Sequence, residues 1–227
     1  MASVAEKRGQ YPDIIREGIG DAWSGPVAVV DVRTDAALPA HDGLAAILVT
    51  GSSHSVTEQT PWMKRAGAFI RAASEDSVPV LGLCFGHQLI ADAFGGRVEK
   101  NPRGREIGTV RLETTNAGAD DPLFRGLERP MKIQATHVDS VTVLPPAARI
   151  YGATSLDPHA AYAIGPNVRC VQLHPELDAA IIREYVDARA HLIENEGLSL
   201  AGIRDSIAES PDGPRFLQNF IKHFAKT

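Results

Sequence analysis

The 227-residue sequence contains few cysteines and aromatic residues and has no long apolar run. Its two cysteines, Cys84 and Cys170, are too few for a disulfide framework. No apolar segment approaches the roughly 20 residues that a membrane-spanning helix needs. The opening residues, MASVAEKRGQ, lack the apolar core of a secretory signal. We therefore expect a cytoplasmic protein that does not bind membranes and keeps both thiols reduced.

Basic clusters and cofactor-binding motifs are also missing. The net charge is −5 and no block of lysine and arginine occurs, so a nucleic-acid partner is not expected. The phosphate-binding pattern G-x-x-x-x-G-K-[ST] is absent, so the sequence contains no ATP-using synthetase motif. No H-x-x-x-H, C-x-x-C or carboxylate cluster occurs either. We expect neither a metal nor a cofactor.

The first hundred residues alternate apolar runs with amphipathic ones. An apolar content of 44% and a charged content of 22% are typical of a globular protein, and no linker or repeat interrupts residues 1–227, so we predict one domain. The pattern predicts strands at 26–32, 45–51 and 78–83 and helices at 11–18, 61–75 and 86–96. Alternating strands and helices with continuous apolar strands predict a parallel sheet covered on both faces.

The pattern changes after residue 100. Short apolar runs separated by Pro, Gly and Asp predict hairpins and mixed strands at 107–113, 131–137, 141–145, 148–154, 160–165 and 168–174. From residue 177 onward the spacing is helical again.

Cys84 stands at the end of a predicted strand, between two glycines and directly before a helix, in the segment GLCFG (82–86). Such a corner places a nucleophile in a strained, positive-φ conformation and lets strand and helix approach closely. The start of the helix would favour the thiolate and could bind an oxyanion. The alternative is that Cys84 is a small buried hydrophobic residue.

A cysteine nucleophile needs a histidine base, which in turn needs an orienting carboxylate. Of the eight histidines we select His174, which ends a predicted strand and has an acid close behind it, in VQLHPE. Pro175 favours an extended path that lets His174 and Glu176 lie on one side of the backbone. Alternatively, His174 only ends the strand and Glu176 is a solvated helix residue. His87 is disfavoured as the base, and Cys170 is expected to be a packed core thiol.

Four segments together resemble the class I (triad) glutamine amidotransferases: LGLCFGHQLIADAFGG, VTGSSHSV, HVDSVTVLP and VQLHPE. The resemblance covers about residues 8–225 and is nearest to the stand-alone branch related to the amidotransferase domain of GMP synthase. It implies an α/β fold with a flavodoxin-like, mostly parallel sheet flanked by helices and an added mixed or antiparallel β region. It implies a catalytic triad of Cys84, His174 and Glu176, an oxyanion hole from the backbone N–H groups of Gly51 and Phe85, and substrate contacts from Gln88, His137 and Val138.

The implied function is hydrolysis of the glutamine side-chain amide, which releases glutamate and ammonia. Ammonia would then pass to a separate synthetase or acceptor enzyme. One alternative is a γ-glutamyl peptidase or hydrolase that acts on γ-glutamyl peptides or amines without such a partner. A second alternative is a catalytically silent binding module with the same fold.

Members of this family usually begin with an apolar central strand. Here residues 2–7 have too few apolar side chains to form a buried strand. We therefore expect either a gap or a replacement strand beside the strand at 45–50, and a native start upstream of Met1 is one explanation.

Overall fold

The computed structural model describes residues 10–226, in which nine strands and eight α-helices occur. The strands are β1 (Ile47–Val49), β2 (Val80–Leu83), β3 (Arg97–Lys100), β4 (Glu106–Thr114), β5 (Met131–His137), β6 (Asp139–Val143), β7 (Ala148–Ala153), β8 (Ala161–Ile164) and β9 (Val168–Val171). The helices are α1 (Tyr11–Ile19), α2 (Pro61–Glu75), α3 (Phe85–Ala93), α4 (Asn116–Asp120), α5 (Ala179–Ala188), α6 (Ala190–Asn195), α7 (Leu200–Ser206) and α8 (Asp212–Phe224).

Seven of the strands form one sheet in the order β1-β2-β9-β8-β7-β4-β5. Strand β2 pairs in parallel with β1 and β9, and the remaining neighbours pair antiparallel. Strands β3 and β6 form a separate antiparallel pair. The predicted α/β fold with an added antiparallel region is thus confirmed, and the described parallel part consists of three strands.

Two apolar clusters cover the parallel strands from opposite faces. On one face, Leu81 and Leu83 of β2 pack with side chains of α1 and α8. On the other, Val80 of β2 and Val168 of β9 pack with side chains of α2 and α3. All four residues of β2 are buried, as expected for a parallel strand enclosed by helices. This enclosure fixes the carboxyl end of β2, where Cys84 follows.

The sheet curls so that its far edge returns to the parallel strands. Beyond the end of β9, the backbone N–H of His174 donates to the carbonyl oxygen of Gln134 in β5 at 2.8 Å, and the two residues form an isolated antiparallel bridge. The antiparallel extension therefore supports the segment that carries His174.

The predicted strand at 26–32 is wrong, because residues 24–46 form no strand or helix. Val27 and Val29 are 48% and 58% exposed. A β-branched run forms a strand only where it can pair and bury one face, and these residues do neither. Strand β3 and helix α4 were not predicted.

A gap or a replacement strand was expected beside the strand at 45–50, of which the structure retains β1 (Ile47–Val49). Residues 2–7 lie outside the described residues. Within residues 10–226, β1 pairs with β2 alone, and the N–H of Lys226 donates to the carbonyl oxygen of Ala45 at 2.9 Å. Across the same range, no helix combines the length and apolarity needed to cross a bilayer.

Candidate active site

Cys84 forms the corner between β2 and α3. Its backbone has φ 50° and ψ −104°, a region that non-glycine residues rarely adopt. Cys84 is also the N-cap residue of α3, so its side chain lies at the positive end of the helix dipole. The predicted positive φ is confirmed, and the strain is of the kind found where a side chain must be presented to a site.

The two flanking glycines permit the close approach that this corner requires. A Cβ atom on Gly86 would lie 2.2 Å from the carbonyl oxygen of Val49 in β1. A Cβ atom on Gly82 would lie 2.6 Å from Cδ1 of Ile90 and 2.8 Å from the carbonyl oxygen of Gly86. All three distances are far below van der Waals contact, so the corner cannot form in this way with a larger residue at either position.

His174 and Glu176 form a buried hydrogen-bonded pair. Nδ1 of His174 lies 2.7 Å from Oε1 of Glu176, and their side chains are 1% and 0% exposed. The carboxylate can only accept, so Nδ1 carries the proton and Nε2 is left to face another group.

Three loop segments at the carboxyl ends of the parallel strands meet around Gly51. A Cβ atom on Gly51 would lie 3.1 Å from Cε1 of His174 and 3.8 Å from Cβ of Cys84. Gly51 follows β1, Cys84 follows β2 and His174 follows β9. Ligands of open α/β sheets bind at this end of the strands. The structure therefore brings Cys84, His174 and Glu176 together, with Gly51 beside them.

The ionisation of Cys84 is biased towards the thiolate. Burial alone would raise the pKa of the thiol, but the positive charge and hydrogen bonding of His174, together with the charge of His137, outweigh it and hold the pKa below its usual value. Nε2 of His174 is buried and makes no hydrogen bond of standard geometry within residues 10–226. Catalytic contacts in a free enzyme are often longer than standard hydrogen bonds.

The ionisation of His174 changes in the complementary direction. Burial would lower the pKa of the imidazole, but the negative charges of Cys84 and Glu176 raise it well above its usual value. A lowered thiol pKa and a raised imidazole pKa both favour a thiolate–imidazolium pair, the form in which a cysteine is most reactive as a nucleophile.

Two glutamines connect Cys84 to the segment that begins β6. Nε2 of Gln88 donates to the carbonyl oxygen of Asp139 at 2.8 Å and to Oε1 of Gln172 at 2.9 Å. Nε2 of Gln172 donates to Sγ of Cys84 at 3.6 Å. Gln172 was missed in the sequence, although it lies two residues before His174 and so shares its strand face.

His137, predicted to contact substrate, has its ring fully engaged inside the protein. Its Nδ1 lies 3.0 Å from the carbonyl oxygen of Asp139, and its Nε2 lies 2.9 Å from Oε2 of Glu106. The carbonyl oxygen of the neighbouring Val138 accepts from the N–H of Asn101 at 2.8 Å. Substrate contacts by this segment through its remaining backbone groups stay a prediction.

The predicted oxyanion donors lie on either side of Cys84. Phe85 is the first residue of α3, where backbone N–H groups have no acceptor within the helix. Gly51 adjoins both His174 and Cys84. Their role as donors to an oxyanion stays a prediction.

Tyr11 of α1 was not predicted to take part in the site. Its ring stacks on that of His174 with centroids 6.2 Å apart, and its hydroxyl lies 2.9 Å from the hydroxyl of Tyr185. Burial raises the pKa of Tyr11 far above its usual value, so the phenol stays neutral. Helix α1 thus supplies one apolar wall beside the imidazole.

His87 and Cys170 lie in the core near the site but differ from His174 and Cys84. Burial lowers the pKa of His87 to about 3, and its Nε2 lies 2.9 Å from the carbonyl oxygen of His159. Burial raises the pKa of Cys170 to about 12. Neither group has the ionisation expected of a base or a nucleophile at neutral pH.

Comparison with known proteins shows extended similarity. A family model described as "Glutamine amidotransferase class-I" matches residues 23–184. Gamma-glutamyl peptidase 4 of Arabidopsis thaliana is 30% identical over 181 residues, which cover 77% of this chain and 72% of the peptidase. The glutamine-hydrolyzing GMP synthase of Parafrankia sp. (strain EAN1pec) is 36% identical over 159 residues, or 68% of this chain, but the match covers only 26% of that longer protein.

Solved structures support the fold alone. A glutamine amidotransferase from Methylobacillus flagellatus has a TM-score of 0.67 at 24% identity and covers 83% of this chain and 79% of that one. A glutamine amidotransferase from Thermotoga maritima has a TM-score of 0.65 at 20% identity, with 79% and 78% covered.

Proposed function

Because the chain belongs to the class-I glutamine amidotransferase family, we propose that it is a cysteine-dependent amidohydrolase that cleaves the side-chain amide of glutamine. The products are glutamate and ammonia. The observation that carries this proposal is geometric: Cys84 has a positive φ at its glycine-flanked corner, and Gly51 adjoins both Cys84 and His174, whose Nδ1 lies 2.7 Å from Oε1 of Glu176. The lowered pKa of the thiol and the raised pKa of the imidazole agree with this arrangement.

In the first half-reaction, the Cys84 thiolate attacks the amide carbon and forms a tetrahedral intermediate. The imidazolium of His174 gives its Nε2 proton to the leaving nitrogen, so ammonia departs and a γ-glutamyl thioester remains. Glu176 accepts from Nδ1 throughout, which keeps the ring in one orientation and stabilises its positive charge.

In the second half-reaction, neutral His174 takes a proton from water through Nε2, and the resulting hydroxide attacks the thioester carbon. The C–S bond then breaks, which releases glutamate and restores the Cys84 thiolate beside the His174 imidazolium. Backbone N–H groups of Gly51 and Phe85 stabilise the oxyanion in both halves. Preorganised donors of this kind typically contribute 10²–10³-fold each to turnover.

Gln88, His137 and Val138 hold the substrate. Both amide hydrogens of Gln88 are used by Asp139 and Gln172, so its contribution to substrate is the acceptor Oε1. An acceptor suits the α-ammonium group of glutamine. His137 and Val138 contribute through their backbone, because the His137 ring is already bonded at both nitrogens.

A second candidate is hydrolysis of γ-glutamyl peptides or amines without a partner. It is favoured by the lengths of the relatives, since the match to the Arabidopsis gamma-glutamyl peptidase 4 covers 72% of that protein, whereas the match to the GMP synthase covers 26%. If ammonia instead passes to a separate synthetase, the partner would complete the site, and the isolated chain would show weak glutaminase activity. A catalytically silent binding module is the third candidate.

The test is glutamate release from glutamine, glutathione and γ-glutamyl methylamide, with Cys84→Ser as the blank. Turnover of glutamine supports the first candidate, and turnover restricted to glutathione or the methylamide supports the second. Covalent labelling of Cys84 by a γ-glutamyl electrophile without turnover supports a missing partner. If neither turnover nor labelling occurs, the silent binding module remains as the explanation and the proposed chemistry is refuted.

A further inference from the structure

A second polar group besides His174 contacts the Cys84 sulfur. Gln172 is fully buried, and its Nε2 donates to Sγ at 3.6 Å. We propose that Gln172 is a positioning residue that stabilises the Cys84 thiolate by presenting an N–H group to it. This inference rests on the proposed function, since it assigns a role in activating the same nucleophile.

The orientation of the Gln172 amide follows from its neighbours. The carbonyl oxygen of Asp139 can only accept, so the Gln88 amide must turn its NH₂ group towards it. The same NH₂ group then faces Gln172 and requires an acceptor there, which is Oε1. The NH₂ group of Gln172 is therefore left to point at the sulfur. A rotated Gln172 amide would set two NH₂ groups against each other.

The start of this relay is itself fixed by buried charged groups. The carbonyl oxygen of Asp139 also accepts from Nδ1 of His137, whose Nε2 bonds Oε2 of Glu106. Oε1 of Glu106 accepts from the hydroxyl of Thr154 at 2.6 Å. Two acceptors therefore face the two ring nitrogens of His137, which favours the protonated, positively charged ring. Four successive hydrogen bonds connect this ion pair to the nucleophile: His137 to Asp139, Gln88 to Asp139, Gln88 to Gln172, and Gln172 to Cys84.

If position 172 served packing alone, an apolar side chain could be buried there at a lower cost in free energy than an amide. Burying an amide costs free energy unless each of its groups is paired. A neutral thiol is a weak acceptor, whereas a thiolate is a strong one, so the N–H contact stabilises the ionised form selectively. The other titratable or charged groups that act on the sulfur are His174, His137, Glu176, Tyr11 and Arg189.

The test is the pH profile of Cys84 alkylation by iodoacetamide in the full chain. Gln172→Met keeps a similar volume without an N–H group, and Gln172→Glu keeps the shape while adding a negative charge. Hydrogen bonds to charged groups contribute enough to move a midpoint by about one pH unit. We therefore expect Gln172→Met to raise the midpoint by about one unit, with roughly tenfold slower alkylation below it. Gln172→Glu should raise it further.

The controls separate this inference from the proposed function. In Cys84→Ser, any remaining alkylation comes from Cys170. Gln218→Met is the matched control for the glutamine substitution, because Gln218 lies outside the site and donates to the carbonyl oxygen of Gly18 in α1. A wild-type midpoint at the ordinary thiol value near 8.5 would overturn the proposed activation of Cys84 itself. A low wild-type midpoint that Gln172→Met leaves unchanged would overturn the role of Gln172 alone.

A measurement on unaltered Gln172 covers the case in which its variants fail to fold. In ¹⁵N-labelled protein, the side-chain NH₂ signals of Gln172 should shift with the same midpoint as Cys84 alkylation, and this shift should vanish in Cys84→Ser. Signals that stay constant through the thiol titration would contradict the contact.

Discussion

The imidazole of His174 and the carboxylate of Glu176 lie 2.7 Å apart although only Pro175 separates them in sequence. Both side chains are buried, and the backbone of His174 is tied to Gln134 of β5. Proline restricts the residue before it to extended conformations, which suits a strand end that must turn two neighbouring side chains into one site. The pair is thus built by local sequence and held by the distant edge of the sheet.

Replacing Glu176 by Gln should reduce turnover strongly while keeping the side-chain shape. The neutral amide no longer stabilises the imidazolium and can fix the wrong ring tautomer. Loss of the orienting carboxylate in comparable triads lowers kcat by up to about 10⁴-fold, so we expect a fall of roughly 10²–10⁴-fold in glutamate release. The exposed Glu194→Gln serves as control, and equal kcat values for Glu176→Gln and wild type would contradict this role.

Replacing His174 by Gln should raise the pKa of the Cys84 thiol. Burial raises this pKa and the positive His174 is the largest influence that lowers it, so removing the cation leaves burial dominant. Thiolate forms as pH rises through the pKa, and the alkylation midpoint should therefore move to higher pH. His191→Gln, at an exposed position of α6, should leave the midpoint in place. A midpoint unchanged by His174→Gln would show that the two residues are not coupled.

Gly86→Ala should destabilise the fold as well as the site. Its Cβ would lie 2.2 Å from the carbonyl oxygen of Val49, and a backbone atom in a sheet has little room to move. Overpacking typically costs 1–3 kcal/mol, which for a chain of this size lowers Tm by roughly 2–12 °C. In Gly202→Ala the nearest atom is the hydroxyl oxygen of Ser199 at 3.1 Å, a side-chain atom that needs to move only slightly and can still accept from the N–H of residue 202, so Tm should fall much less. Similar Tm values for both variants would contradict the close approach of α3 to β1.

The buried ion pair between Arg169 and Asp121 should contribute more to the free energy of unfolding than the exposed ion pair between Arg204 and Asp187. Arg169 of β9 lies 2.8 Å from Asp121 and its guanidinium stacks over the ring of Phe224, and both charged side chains are under 10% exposed. Removing one partner of a buried pair typically costs 3–5 kcal/mol. Asp121→Asn should therefore lower the free energy of unfolding by several kcal/mol. Asp187→Asn, which breaks the exposed pair with Arg204, should cost under about 1 kcal/mol. Equal losses in urea unfolding would refute the distinction.

Helices and strands were predictable from the sequence where the spacing of apolar residues coincides with the buried face of the element. The helix at 61–75 and the strand at 131–137 have the predicted bounds, because their apolar spacing is also their buried face. The run at 26–32 has similar strand propensity but no pairing partner among residues 10–226, and propensity alone did not reveal this.

The corner at Cys84 was predictable because its glycines and its φ are local features. The contact of Gln172 with the sulfur was not, because it depends on Asp139 and Gln88 arriving from other parts of the chain. The engaged ring of His137 was missed for the same reason, since its partner Glu106 belongs to a different strand.

The central claim is that Cys84 is the nucleophile, and covalent trapping tests it most directly. The full chain would be incubated with the glutamine analogue 6-diazo-5-oxo-L-norleucine, digested, and mapped by mass spectrometry, with Cys84→Ser and an excess of glutamine as controls. We predict one adduct per chain, located on Cys84, that is absent in Cys84→Ser and slowed by glutamine. An adduct on Cys170 or on a histidine, or none on Cys84 while glutamate is still released, would contradict the account.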